Sequence, residues 1–328
     1  MKKVGRLAAM LLAVCMLLAP AALAREAAPA QEPMRSVTTG LPTNKEYTPY
    51  LIQIDNSGGA RPQLGISKAD VIYEAEIAAG GATRYSLLFN DELPEEVMSV
   101  RSARILHADI ALDWNAMFVH WGGQQMPGTD VYEYIAKHSV PHIDGISADR
   151  SFFYRTDERI SPHNVVVKLR EMAQSEKYAY TAEHKAPLRF SESGYTQQGE
   201  AVTQLQITYA NGYAPGYKYL PEEGLYSRYY KRELQLDESG EEIKVANVIV
   251  MYADYSYYNW ENDRPVAELT GKNACKFFID GKYFEGYWTR GSVGEATKYF
   301  DAEGAEVLFK PGKTAIHILR EGKEIIMQ

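Results

Sequence analysis

The chain has 328 residues, of which 45% are hydrophobic and 24% are charged, and its formal net charge is −8. These proportions are those of an ordinary globular protein and exclude a mainly disordered, collagen-like or polytopic membrane protein. The acidic balance also argues against binding of duplex nucleic acid through a broad basic surface, so no nucleic-acid partner is expected.

Residues 1–24 have the features of a secretory signal peptide. Basic side chains lie among the first six residues, and an apolar run from Leu7 to Ala24 follows, ending in the small-residue pattern Ala22-Leu23-Ala24. This order is typical of a signal peptide with its cleavage site. We therefore expect an extracytoplasmic protein, secreted or associated with the cell envelope, which contacts the membrane only if this segment is retained as an anchor.

Cys15 raises the alternative of a lipid anchor. It follows Val14 rather than a small residue and lies within the apolar run, which argues against lipidation. Once the signal is removed, Cys275 has no partner for an internal disulfide. The histidines show no HExxH or comparable spacing, and no nucleophile-elbow, P-loop or dinucleotide-binding pattern is present. We expect neither a metal site nor a cofactor.

The first half of the chain mixes strand-like and helix-like patterns. Residues 25–44 lack an apolar period and are predicted to form a flexible tether, and residues 45–193 are predicted to form an N-terminal α+β domain. The predicted strands are 50–55, 71–78, 82–90, 116–120, 151–154 and 165–167, and the predicted helices are 101–114, 129–138 and 168–178.

Gly80-Gly81 predicts a turn between the second and third of these strands. A loop of residues 79–81 would place Glu76 opposite Arg84, and a loop one residue shorter would place Ile77 there. The charge pairing favours the first register.

The second half of the chain is rich in strand patterns, and residues 194–328 are predicted to form a C-terminal β-rich domain. Asp280-Gly281 between two aromatic runs is typical of a type I′ hairpin. The predicted strands are 245–252, 276–279, 283–288, 296–300, 306–309 and 315–319, and they fit an antiparallel meander. The fold class is therefore α+β.

Arg101 and Arg104 lie at the start of the predicted helix 101–114. A helix N-terminus is already partly positive, so two arginines there are unfavourable unless an anion neutralises them. Backbone N–H groups and guanidinium groups together would hold such an anion. The alternative is that Asp55, Glu74 or Glu76 supplies the negative charge from within the protein.

Glu74 and Glu76 lie on one face of the second strand. Paired carboxylates serve as acid and base in glycosidic cleavage, so a cell-wall polymer hydrolase is one function that the sequence allows. The alternative is a salt-bridged strand face in which Arg84 neutralises these acids.

Two histidines lie at positions suited to a site. His120 ends a predicted strand before Trp121-Gly122-Gly123, and His163 lies in the run Ser161-Pro162-His163-Asn164. A histidine beside glycines at a strand end is suited to binding or catalysis. For each of them, a structural hydrogen bond is the alternative.

The runs IDNSGGARPQLGISKADVIYEAEIAAGGATRYSLLF, VRSAR, VHWGG and SPHN, followed by NVIVMY and DGKYFEGYWTR, resemble the YerB-like lipoprotein family. This bacterial family is extracytoplasmic and of unknown function, and the resemblance spans roughly residues 40–320. It implies an α+β layered sandwich with a mixed sheet and helices in the N-terminal half. The positions that it marks have no established catalytic role, and beyond the candidates named below they include Pro62, Gly122, Gly123 and Pro162.

We therefore expect an exported cell-envelope protein that is a non-catalytic binding module for an anionic or glycan envelope ligand or for a partner protein. Two alternatives stay open, the cell-wall polymer hydrolase and a structural partner protein with no ligand site. The expected ligand-binding residues are Asp55, Asn56, Arg61, Glu74, Glu76, Arg84, Arg101, Arg104, His120, His163 and Asn164.

Overall fold

The computed structural model describes residues 34–78, 80–193, 199–210, 212–257 and 264–328. The predicted signal peptide and residues 25–33 of the predicted tether lie outside the described residues. Among the described helices, none is both long and apolar enough to span a membrane.

The first half carries nine of the strands and all three helices of the described chain. They are β1 (Tyr50–Asp55), β2 (Val71–Glu76), β3 (Thr83–Phe89), β4 (Val97–Met98), α1 (Ile105–Trp114), β5 (Met117–His120), α2 (Val131–His138), β6 (His142–Asp144), β7 (Phe153–Arg155), β8 (Val165–Val167), α3 (Leu169–Gln174) and β9 (Arg189–Phe190). Short 3₁₀ turns at Gly58–Ala60 and Ile66–Lys68 lie between β1 and β2.

The second half is built from strands alone within the described ranges. They are β10 (Glu200–Ala201), β11 (Gln204–Ile207), β12 (Pro215–Leu220), β13 (Leu225–Tyr230), β14 (Glu233–Leu234), β15 (Lys244–Val245), β16 (Asn247–Ala253), β17 (Tyr255–Tyr257), β18 (Pro265–Ala267), β19 (Gly271–Ile279), β20 (Lys282–Arg290), β21 (Lys298–Asp301), β22 (Leu308–Phe309), β23 (Thr314–Arg320) and β24 (Ile325–Met327).

An 11-stranded central sheet runs through both halves, in the order β10-β20-β19-β16-β23-β2-β3-β1-β5-β6, with β21 paired to β20. Strand β23 joins the halves, because it pairs in parallel with β2 on one side and with β16 on the other. A 6-stranded sheet, β14-β13-β12-β11-β24 with β15 beside β13, forms a separate layer. The two predicted domains 45–193 and 194–328 thus share one sheet, and their boundary stays a prediction.

Two hydrophobic cores hold the layers together. One lies between the central sheet and the 6-stranded sheet and contains Ile52, Ile72, Leu87, Leu205 and Tyr217. The other lies between the central sheet and the first two helices; its members include Leu51, Leu88, Leu106, Ile110 and Ile135. Every residue of α1 from Leu106 to Trp114 is buried, as expected of a helix that is apolar on most sides. The predicted α+β layered sandwich is confirmed.

Of the two hairpins predicted from local sequence patterns, one is confirmed and the other has a different register. Asp280 and Gly281 both have positive φ, 53° and 73°, and Ile279 pairs with Lys282, which is the type I′ turn that the sequence predicts. The predicted register of β2 and β3 is wrong, because Glu76 faces Thr83 and Ala75 faces Arg84. The backbone N–H of Ile77 donates to the carbonyl of Ala82, so the connection is longer than either predicted loop.

Part of the predicted tether is folded, which corrects the prediction for its described residues. The hydroxyl of Thr38 donates to a carboxylate oxygen of Asp70 at 2.8 Å, and the hydroxyls of Ser36 and Thr39 donate to Asp91. Both threonines and Ser36 are buried. Polar side chains anchor this segment, which explains why no apolar period reveals it in the sequence.

Candidate functional site

The carboxyl ends of the parallel strands β1, β5 and β6 lie side by side at one end of the central sheet. Strand β1 is parallel to β5 and antiparallel to β3, and β5 is parallel to β6. Asp55 and His120 therefore end their strands at the end of the sheet where β3 begins, and Asp55 lies directly opposite Arg84, the second residue of β3. Loops at the carboxyl ends of parallel strands are the usual place for ligand sites in open sheets.

The sheet divides the sequence-predicted site residues between its two faces. Side chains alternate along a strand, so Asp55, Arg84 and His120 share a face with Leu51, Leu88 and Phe118, which pack on the helices. Glu74 and Glu76 share the opposite face with Ile72, which packs toward the 6-stranded sheet. The predicted residues thus form two separate groups.

The segment before α1 carries the central residues of the helix-side group. Arg104 is the N-cap of α1, so the helix begins four residues later than predicted and Arg101 lies outside its first turn. Residues 101–103 instead run past the carboxyl ends of β1 and β5. The N–H of Arg101 donates to the carbonyl of Gln53, and the N–H of Ala103 donates to that of Gly122. Gly122 has a φ of 70°, a conformation for which glycine is suited.

Arg84 and Arg104 converge on one backbone oxygen. The Nη1 groups of both donate to the carbonyl oxygen of Ser102, with a distance of 3.4 Å for Arg104. The two residues are only 5% and 8% exposed. Neither forms an ion pair with any carboxylate among the described residues, and the Nε atom of each is buried without a hydrogen-bond partner there. Two guanidinium groups are therefore packed together with no ion-paired carboxylate among the described residues.

His107 adds a third buried donor beside them. The backbone N–H of Arg104 donates to Nδ1 of His107 at 3.1 Å, which places the ring proton on Nε2. That Nε2 is buried and has no hydrogen-bond partner among the described residues. Burial, together with the charges of Arg84 and Arg104, holds the pKa of His107 well below its ordinary value. His107 is thus a neutral donor.

The electrostatic potential at this place is positive. Burial, followed by the charges of Arg84, Arg264 and Arg101, lowers the pKa of Arg104 to about 8. Burial and the charge of Arg101 also lower the pKa of Arg84 to about 10, although Asp55 acts in the opposite direction. Because guanidinium stays protonated in proteins, these directions mean that its charge is poorly compensated here. We call Arg84, Arg101, Arg104 and Arg264 the arginine cluster.

Arg101 is neutralised within the protein. Its Nε lies 3.0 Å from Oδ2 of Asp55, and Nδ1 of His163 lies 2.8 Å from the same oxygen. Burial would raise the pKa of Asp55, but the N–H of Ser57, Arg101 and His163 outweigh it, so this pKa lies below its usual value. The sequence interpretation that an internal acid supplies the negative charge is therefore correct for Arg101 through Asp55, and it does not extend to Arg84 or Arg104.

Glu74 lies in a sealed network on the other face. It is 1% exposed, and its carboxylate oxygens contact Nη2 of Arg228 at 2.6 Å and the hydroxyl of Thr83 at 2.7 Å. Burial alone would raise its pKa, but Arg228 and His317 reverse this and lower it. The side chains of this network, which we call the Glu74 network, are Asn56, Glu74, Thr83, Tyr209, Tyr213, Tyr217, Arg228 and His317.

The two glutamates are unsuited to acid–base catalysis. Glu76 is fully buried and contacts Nη2 of Arg320 at 3.0 Å. The expected partner Arg84 is on the other face, because the register differs from the predicted one. Carboxylates that are sealed from solvent and paired with arginines cannot reach a polymer, which leaves the hydrolase alternative without its acid.

The remaining sequence candidates have local structural partners. Asn56 belongs to the Glu74 network, and Nε of Arg61 donates to the side-chain oxygen of Asn56. The guanidinium of Arg61 lies 4.4 Å from the ring centre of Tyr230. Asn164 accepts a hydrogen bond from Arg155 and donates to the carbonyl of Thr156. None of these three candidates contacts the arginine cluster through a hydrogen bond within the described ranges.

The buried ring of His120 pairs with the exposed ring of His142 next to the cluster. Its Nδ1 donates to the carbonyl of Gly122 at 2.9 Å, so its Nε2 accepts from Nδ1 of His142 at 3.1 Å. Burial lowers the pKa of His120 to about 4, which keeps the ring neutral. Across the described chain, no three His, Cys, Asp or Glu side chains are grouped closely enough to hold a metal ion.

The sequence interpretation missed His107 and Arg264. His107 had a usable signal, because the third residue after an N-cap is the one whose side chain can reach back to the N-cap N–H. Arg264 lies directly before β18, 160 positions after Arg104 in the chain, and no local pattern connects it to the cluster. Tertiary structure alone brings its charge near Arg84 and Arg104.

Comparisons with known proteins cover most of the chain. Residues 38–182 match a family model described as "Protein of unknown function (DUF3048) N-terminal domain", and residues 205–316 match the corresponding C-terminal domain. The Bacillus subtilis (strain 168) protein named "Putative lipoprotein YerB" is 27% identical over 296 residues, which span 87% of this chain and 86% of that protein. The crystal structure of YerB from Bacillus subtilis is similar with a TM-score of 0.77 and 26% identity, covering 89% of this chain and 99% of that one.

Proposed function

The chain belongs to the YerB-like family, and from that premise we propose that it is an extracytoplasmic binding module that holds an anionic group in the arginine cluster. The observation that carries this proposal is the shared carbonyl of Ser102. Two buried guanidinium groups donate to it, and no described carboxylate forms an ion pair with either of them.

The energetic argument starts from the unpaired donors. A buried donor without a partner costs about 1–3 kcal/mol, and the Nε atoms of Arg84 and Arg104 and Nε2 of His107 are three such donors. Repulsion between the guanidinium groups adds to this cost. A carboxylate or phosphate oxygen would satisfy the donors and the charge together, since guanidinium groups bind both anions in a bidentate manner.

The surroundings support access from solvent. Arg101 keeps 24% of its side chain exposed, Ser102 is half-buried, and Arg264 is exposed. An approaching anion would first meet these side chains and would then reach the buried donors. The N-terminus of α1 lies at the same place and adds its positive dipole end.

The test is a titration of the full chain with sodium phosphate and with sodium acetate at constant ionic strength. We expect the side-chain N–H signals of Arg84, Arg104 and His107 to shift in NMR spectra and the thermal unfolding midpoint to rise. The double variant Arg84→Gln and Arg104→Gln should lose this stabilisation. Arg104→Lys should retain only part of it, because lysine keeps the charge but not the planar fork.

Arg189→Gln is the matched control, because Arg189 is 59% exposed and lies on β9, outside the cluster. It should respond to both anions as the unmodified chain does. Absence of shifts at the three signals, or an unchanged response of the double variant, would overturn the proposal. The arginines would then only stabilise the fold, as in a structural partner protein.

A further inference from the structure

The outer face of the 6-stranded sheet carries a notch with no side chain at its centre. Ile326, Gln206, Gly216 and Tyr229 lie side by side on β24, β11, β12 and β13. The next residue, Tyr217, is buried in the core, so Gly216 faces outward. A cavity of about 450 Å³ lies here, within the range of ordinary ligand pockets.

The lining of the notch is basic and rich in amides. Lys218, Lys231 and Arg232 contribute cations, and none of them forms an ion pair within the described part of the chain. The side chains of Gln204 and Gln328 add amide groups, and none of the described lining residues is an aspartate or a glutamate. The chain as a whole is acidic, so this basic patch runs against its average composition.

The turn that presents two of these cations is strained. Tyr230 pairs with Glu233, which leaves Lys231 and Arg232 as a two-residue turn with φ values of 51° and 67°. Such turns favour Asn-Gly, and a residue with a β-carbon costs about 1–2 kcal/mol in this conformation. Strain of this kind at a cavity rim points to a function for the side chains held there.

We propose that the notch binds an acidic glycan, a sugar chain that carries carboxylate groups. The Tyr229 ring and the apolar Ile326 side chain offer surfaces on which the faces of sugar rings pack. The amides of Gln204 and Gln328 suit hydroxyl groups, and the three cations suit carboxylates. A neutral glycan would leave these cations unused, and an acidic peptide would not need the aromatic platform.

This second site is independent of the arginine cluster and is tested separately. The full chain is titrated with trigalacturonate by calorimetry, with maltotriose as the neutral sugar and triglutamate as the anion that is not a sugar. We expect trigalacturonate to bind, with maltotriose and triglutamate at least tenfold weaker. Tyr229→Ala should weaken trigalacturonate binding roughly tenfold. Combined Lys231→Gln and Arg232→Gln should weaken it and should reduce its dependence on salt.

Two control variants define the location of binding. Lys298→Gln removes an exposed lysine from β21 of the central sheet and should leave the affinity unchanged. Arg189→Gln removes an exposed arginine from β9, outside both sites, and should also leave it unchanged. The proposal is overturned if trigalacturonate fails to bind, if triglutamate binds equally well, or if the notch variants keep full affinity. Tyr229, Lys231 and Arg232 are at least partly exposed, so the thermal unfolding midpoints of their variants should match that of the unmodified chain.

Discussion

Oδ2 of Asp55 lies 3.0 Å from Nε of Arg101, and within the described chain it is the one carboxylate that forms an ion pair with the arginine cluster. Asp55 also lies opposite Arg84 in the register of β1 and β3. Its charge therefore competes with an incoming anion for the same group of guanidinium side chains.

Asp55→Asn should strengthen anion binding while it weakens the fold. Removing one negative charge next to the cluster raises the positive potential there, and we expect phosphate to bind several-fold more tightly. The lost ion pair should lower the free energy of unfolding by about 1–3 kcal/mol. Phosphate titration and urea unfolding measure the two effects. Glu171→Gln, an exposed change on α3, should alter neither, and weaker phosphate binding by Asp55→Asn would contradict this account.

A second prediction concerns the Glu74 network. Nη2 of Arg228 lies 2.6 Å from Oε2 of Glu74, and neither side chain is more than 1% exposed. Removing one partner leaves the other charge buried, so Arg228→Met and Glu74→Gln should each cost about 3–5 kcal/mol of unfolding free energy. The double variant should cost less than the sum of the two single changes.

Lys244→Gln provides the comparison for this pair. Lys244 forms ion pairs with Glu223 and Glu242, but these side chains are about a quarter to a half exposed. Its loss should cost less than about 1 kcal/mol in the same urea experiment. Equal costs for Arg228→Met and Lys244→Gln would show that burial does not govern these pairs.

Local pattern predicted the elements well and their contacts less well. Strand β1 has the predicted bounds, Tyr50–Asp55, because its alternation and the polar Asp55-Asn56 end are both local signals. The predicted register of β2 and β3 was wrong. The attraction expected between Glu76 and Arg84 contributes less to the register than the burial of apolar side chains on both faces of these strands. Glu76 pairs with Arg320, 244 positions away, which no local pattern indicates.

The candidate site was also predictable only where its signals are local in the sequence. The sequence showed Arg101 and Arg104 before α1 as a candidate anion site. It did not show that Arg84, from β3, donates to the same Ser102 carbonyl as Arg104, because only the fold brings these residues together. The placement of Glu74 and Glu76 on the face opposite Arg84 follows from the register of β2 and β3, in which Ala75 rather than Glu76 faces Arg84. Strand β23 enters between β2 and β16 in parallel, although the sequence suggested an antiparallel meander for it.

Gly281 offers a test of the hairpin between β19 and β20. Its φ is 73°, and a β-carbon built there would lie 2.7 Å from ring atoms of Tyr219. Gly281→Ala should therefore lower the free energy of unfolding by at least about 1–2 kcal/mol, through backbone strain and the steric conflict. Gly294→Ala is the matched control, because nothing lies within 4 Å of its added carbon. It should change stability by less than about 0.5 kcal/mol.

Asp70 predicts an unusual dependence of stability on pH. Burial, followed by the charge of Asp91, raises the pKa of Asp70 to about 7, although three hydrogen bonds from Thr38, Asn90 and Asp91 act against this. The folded chain therefore holds a proton that the unfolded chain releases near its ordinary pKa of 3.8. The contribution of Asp70 to stability is fullest below about pH 4 and is lost as the pH rises toward about 7.

Asp70→Asn should remove this contribution to the pH dependence. The difference between the stability curves of the variant and the unmodified chain should change by a few kcal/mol between pH 4 and 7, with the variant gaining relative stability as the pH rises. Urea unfolding at a series of pH values measures it. Asp149→Asn, at a fully exposed aspartate, should leave the slope over that interval unchanged. A difference curve for Asp70→Asn that is flat from pH 4 to 7 would mean that Asp70 is ionised throughout and that its hydrogen bonds to the segment at Thr38 offset its burial.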